Sequence, residues 1–102
     1  MNDVVRTRLP FAGPLTIYTA ADSKPVLMEP LSAGVTVALE LAEVDEFDSA
    51  GLQLLLLAHR EARRLGGGLE LVDPSPAVTE LLELAGLANF FLSTPNSEEV
   101  AV

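Results

Sequence analysis

The sequence predicts an α/β fold: a single domain with one central mixed β-sheet of about four to five strands, flanked by helices. Three observations carry this. Val35–Leu41 and Leu69–Val72 are almost continuously apolar, as strands covered on both faces are. Between them runs the longest helical pattern, Gly51–Leu65, with Leu55, Ala58, Ala62 and Leu65 on one stripe. Glycine and proline separate the pieces at Gly66–Gly68 and at Ser75-Pro76.

In chain order, Val4–Ile17 reads as two strands around a Gly13-Pro14 turn. Leu15, Ile17 and Thr19 then share one face, and Thr16 and Tyr18 the other. Thr19–Pro25 supplies small and capping residues ahead of Val26–Met28, so a helix begins there. Pro25 and Pro30 each remove a backbone donor, which predicts a short or kinked helix ending near Leu31, with Gly34 turning the chain out. After the strand Val35–Leu41 and the helix Gly51–Leu65, the triple glycine stops the helix and leads into Leu69–Val72. Ser75 is an N-cap with Pro76 at the first helical position. Val78, Leu81, Leu82 and Ala85 mark the apolar face of that helix, and Gly86 sits at its C-cap. Both later connections are crossovers between parallel strands. Residues 1–102 are expected to form one domain, with its core at about 14–92 and a flexible tail at 93–102.

Composition narrows the function. The chain has 102 residues, 49% hydrophobic and only 5% aromatic, so leucine carries the core. Its mean hydropathy is +0.36, a globular value. Six Lys and Arg against fifteen Asp and Glu give a net charge of −9. That sign argues against a nucleic-acid surface and against anionic lipid. The longest apolar stretch, Leu54–Ala58, is far short of a membrane span, and the first ten residues hold two Arg and no apolar run. There is no Cys, hence no disulfide, thiolate zinc site or cysteine nucleophile, as fits a reducing, cytoplasmic setting.

The residues do not assemble an enzyme. His59 is the only histidine and lies ten residues beyond Ser49 along one helix, about 15 Å at 1.5 Å per residue, too far for a serine–histidine pair. It reads as a solvated side chain. The triple glycine follows a helix and precedes a strand, the reverse of a phosphate cradle. Arg60, Arg63 and Arg64 suit the helix dipole at that end. Glu40, Glu43, Asp45, Glu46 and Asp48 lack the spacing of a calcium loop and read as a solvated acidic loop. No cofactor and no metal is expected.

The informative segment is Val44–Leu52, which leaves the C-terminal end of a strand and enters the longest helix. Ser49 stands at the helix boundary, where its hydroxyl suits a cap, and Asp48 places negative charge at the positive end of the dipole. Phe47-Asp-Ser-Ala-Gly-Leu-Gln-Leu-Leu55 is similar to the signature of STAS domains, the family of bacterial anti-sigma factor antagonists. Pro14–Ala20, Val35–Leu41, Leu69–Val72 and Ser75–Gly86 follow the same plan in order, so the resemblance covers roughly residues 14–92.

The resemblance implies a small α/β domain without catalysis of its own. It also implies that Ser49 is phosphorylated by an anti-sigma factor of the serine-kinase type, and that the unphosphorylated form binds that kinase. Asp48, Ser49, Ala50, Gly51, Leu52 and Leu55 form the expected partner-binding set. Ala50 occupies a slot that is often Ser or Thr in the antagonists. Alanine there also resembles STAS subunits of phospholipid-transport ABC systems and STAS domains of chemotaxis clusters, so an ABC ATPase or a chemotaxis protein is the alternative partner. Five leucines between Leu52 and Leu57 sweep right round the helix, which predicts that some are exposed as partner surface.

Overall fold

The structure is a computed structural model and describes residues 5–92; Val4 and the tail expected at 93–102 lie outside them. Its elements are β1 (Val5–Ala12), α1 (Ala20–Met28), β2 (Val35–Glu43), α2 (Ser49–Arg64), β3 (Gly68–Val72), α3 (Pro76–Leu84) and α4 (Ala88–Leu92). The strands form one sheet in the order β1-β2-β3, and both pairings are parallel. Each connection is a helical crossover, which parallel neighbours require.

This corrects the expected sheet. Among the described residues it has three parallel strands rather than a mixed set of four to five. The N-terminal hairpin does not form. β1 runs to Ala12, and Leu15 contributes only an isolated parallel bridge to Phe47. Side-chain hydrogen bonds bend the next residues into a turn: Thr19 Oγ1 accepts from the Thr16 amide at 3.0 Å and donates to the Pro14 carbonyl, and Thr16 Oγ1 accepts from the Tyr18 amide. β2 is central, as its composition implied, but β3 is an edge strand.

Among the described residues the helices cover one face. Val37, Leu39 and Leu41 alternate inward on β2. Leu39 and Leu41 join one cluster with Leu27 of α1, Leu55 of α2, Val78 and Leu82 of α3 and Phe91 of α4. The opposite face carries Thr36, Ala38 and Glu40, closed by cross-strand ion pairs. Arg8 donates to Glu40, with Nε–Oε2 at 2.6 Å, and Arg6 pairs with Glu70. Ala38, in register with Arg8 on one side and Glu70 on the other, is buried between these charged side chains.

α1 contains Pro25 and stops at Met28, because Pro30 has no N–H to extend the ladder. α3 begins as expected, with Ser75 Oγ accepting from the Val78 amide and Pro76 in the first turn. α2 ends at Arg64, and Gly67 then passes so close to β2 that a Cβ would overlap the Val35 backbone.

Candidate functional site

The C-terminal end of β2 and the N-terminal end of α2 meet the segment that follows β1. Backbone bonds lace the two stretches together: the Gly13 amide donates to Glu43 O at 3.0 Å, and the Leu15 amide to Glu46 O at 2.9 Å. Leu15 and Val44 are fully buried beneath this seam. Gly51 permits it, since a Cβ there would overlap the Leu15 carbonyl oxygen and come within 2.9 Å of the Phe47 ring.

Asp48 is the N-cap of α2, in extended backbone conformation. Its Oδ1 accepts from the amides of Ala50 at 2.9 Å and Gly51 at 3.2 Å, while Oδ2 accepts from the amide of Ile17 at 3.0 Å. One carboxylate therefore closes the helix and pins the loop before α1. The Ile17 bond, with those from Gly51 and Ala50, holds its pKa below the ordinary aspartate value. The sequence had suggested Ser49 as the cap; the carboxylate of Asp48 takes that role instead, and Ser49 becomes the first residue of the helix.

Ser49 is exposed, and its hydroxyl makes no hydrogen bond among the described residues. Asp45 and Glu46 are exposed nearby. Ala50 is half-buried. Gly51, Leu52 and Leu55 are buried, Leu55 completely, so these last three belong to the packing beneath the surface. Of the remaining leucines, Leu54 is buried, and Leu56 and Leu57 are half-buried.

Sequence reasoning missed Ile17 and Tyr18. They are 67% and 92% exposed, an apolar pair on the loop that Asp48 holds beside Ser49. The available signal was the Thr16–Thr19 spacing after Pro14, which favours a turn over a continuing strand.

His59 is half-buried rather than fully solvated. It packs edge-on against Phe90 and Phe91, with ring centroids 4.7 and 5.8 Å away, and its buried Nδ1 has no partner among the described residues. Burial, with Arg63 adding to it, lowers its pKa from the ordinary 6.5. A lowered folded-state value means that the unfolded chain binds the proton more readily. This contribution to stability is therefore full above the unfolded value and declines as pH falls from about 6.5 through the folded pKa. Urea unfolding between pH 7.5 and 5 should show that decline, and His59→Leu should flatten it; an unchanged slope in the variant would assign the decline to another group.

Among the described residues no three His, Asp or Glu side chains converge as a metal site, and no helix is long and apolar enough to cross a membrane. What the site offers is a rigid helix start, an accessible hydroxyl and an apolar pair on a tethered loop. The family model described as "Mlab, STAS domain" matches residues 3–94. The chain belongs to the STAS-domain family.

One curated relative and one solved structure resemble this STAS domain. "Putative anti-sigma factor antagonist BtrV" of Bordetella bronchiseptica is 37% identical over 65 residues, which cover 64% of this chain and 55% of that protein. The chain thus spans little more than half the length of the curated relative it matches. The structure of the anti-sigma factor antagonist SpoIIAA in its unphosphorylated form superposes with a TM-score of 0.63 at 21% identity, covering 98% of this chain and 89% of that one. That likeness concerns the fold.

Proposed function

We propose that residues 1–102 act as one non-catalytic regulatory domain in the cytoplasm, docking on an anti-sigma factor of the serine-kinase type and switched by phosphorylation of Ser49. The observation that carries this reading is the state of Ser49: exposed, without a hydrogen bond among the described residues, and first in a helix that Asp48 already caps. Its hydroxyl is free to be modified because the fold does not use it. A phosphate adds about −1.5 to −2 charges. The helix N-terminus tolerates them, while Asp45, Glu46 and Asp48 make the local potential more negative still. A partner fitted to neutral Ser49 and to the Ile17–Tyr18 loop then meets a steric block and uncompensated charge. The match to a relative named as an anti-sigma factor antagonist supports this partner class.

Ala50 favours a second reading, in which the domain is a subunit of an ABC transport system or a chemotaxis adaptor, and the Ser49 hydroxyl is a contact that is never phosphorylated. Three proteins separate the two. Affinity for the partner recovered by pulldown should fall about tenfold or more in Ser49→Asp, the scale of an uncompensated interfacial charge, and persist in Ser49→Ala. Loss in both variants favours the contact reading; equal affinity for all three excludes a role for Ser49. Circular dichroism should show all three folded, because an exposed anion at a helix N-terminus is favourable by about 0.3–1 kcal/mol.

A further inference from the structure

The chain has six Lys and Arg residues. Three of them, Arg6, Arg8 and Arg64, form ion pairs with Glu70, Glu40 and Glu61. The other three, Lys24, Arg60 and Arg63, make no ion pair among the described residues, and all three line one groove of about 720 Å³ on the helical face. Its floor and wall are apolar: Leu54, Leu56 and Leu57 of α2, and Phe90 of α4, which is 51% exposed. Among the described residues no Asp or Glu lines it, although the chain carries fifteen.

We infer that this groove is a docking site for an acidic amphipathic helix of a partner protein. Charge complementarity selects the occupant. On a surface of net charge −9, an acidic segment is repelled almost everywhere and attracted where unpaired cations cluster. The apolar floor takes the other face of the same segment, as in helix-in-groove recognition, with anchors at i, i+3 or i+4, and i+7. The exposed side of α2 has the matching repeat, because Gln53, Leu56, Arg60 and Arg63 follow one another at spacings of three and four. The cations sit around the apolar strip and not on ion-pair partners of their own, so they meet carboxylates without first breaking a bond within the described fold. This surface goes beyond the Ser49 reading and does not depend on it.

The test uses a photo-crosslinker in the full chain, in cells of its source organism. Leu57→p-benzoylphenylalanine places it on the groove floor, and Gln53→p-benzoylphenylalanine at an exposed rim position serves if the first variant fails to fold. Mass spectrometry of the adduct should identify a segment of another protein with apolar residues at helical spacing and a net negative charge. The double variant Arg60→Glu, Arg63→Glu should lower the adduct yield about tenfold or more, as expected when attractive charges become repulsive, with circular dichroism unchanged. An adduct to residues 93–102 of the same chain overturns the inference, as does one to the groove of a second copy or to a neutral or basic segment. So does an acidic adduct that survives the charge reversal, or the absence of any adduct at both positions. Affinity changes in Ser49 variants leave this readout untouched, so the two proposals fail separately.

Discussion

Gly51→Ala is expected to destabilise the fold by about 2–3 kcal/mol, although alanine is the better helix former. Intrinsic propensity predicts the opposite sign, a gain of about 1 kcal/mol for replacing glycine within a helix. The difference lies in packing. A Cβ at Gly51 would overlap the carbonyl oxygen of Leu15 and press to 2.9 Å from the Phe47 ring. The oxygen belongs to backbone and cannot turn aside as a side-chain end can. Relief requires α2 to move away from the segment after β1, which opens the seam over the fully buried Leu15 and Val44. Overpacking of this kind costs about 1–3 kcal/mol, and Gly51→Val lies at or above the top of that range. Urea unfolding followed by helical circular dichroism measures both. An alanine variant as stable as the parent would mean that the two segments part without cost.

The signature residues were legible because their signal is local. Asp48 followed by Ser49 and Gly51 states a helix start whatever the sheet does, and Gly51 sits where two backbones approach. The division of labour between the first two was not legible. Aspartate and serine cap almost equally well, and the choice of Asp48 depends on Ile17, which lies 31 positions earlier and supplies a third amide to the same carboxylate. Ile17 and Tyr18 were hidden for a related reason. Alternation from Leu15 onward mimics a strand, and only the Thr16 and Thr19 side-chain bonds turn it into a loop.

The hydrophobicity of β2 is a poor guide to what covers the second face of the sheet. Its apolar run suggested cover on both faces, yet helices pack on one. Ala38 is small enough to be buried under the Arg6–Glu70 and Arg8–Glu40 pairs, so the second face is closed by charged side chains with aliphatic stems. The pattern Leu69, Glu70, Leu71 was in fact the alternation of a strand with one polar face. The short helix Ala88–Leu92 escaped because one turn and a half carries no period to read.

Asp48→Ala and Asp48→Asn should come apart, and their difference isolates the tether from the cap. Alanine removes both oxygens, leaving the amides of Ala50, Gly51 and Ile17 without this acceptor, and Tm should fall by about 5–10 °C, the scale for a small domain that loses an N-cap and one further acceptor. Asparagine keeps one acceptor oxygen and is itself a good N-cap, so the helix start survives. Its other terminal group is a donor and cannot receive the Ile17 amide. Hydrogen exchange by NMR should therefore show Ala50 and Gly51 still protected in Asp48→Asn and Ile17 exchanging faster, with melting closer to the parent than in Asp48→Ala. The acid limb supplies a second readout. Because the Asp48 pKa is lowered by these bonds, its contribution is present above the ordinary carboxylate range and is lost as pH falls below about 4 through the folded value. Asp48→Asn should lack that part of the acid destabilisation, while the parts from Glu40 and Glu61, whose pKa values are also lowered by their arginine partners, remain in both proteins. If Ile17 stays equally protected in Asp48→Asn, the loop is held by the Thr16–Thr19 turn alone. In that case the orientation of Ile17 and Tyr18 beside Ser49 does not depend on the carboxylate.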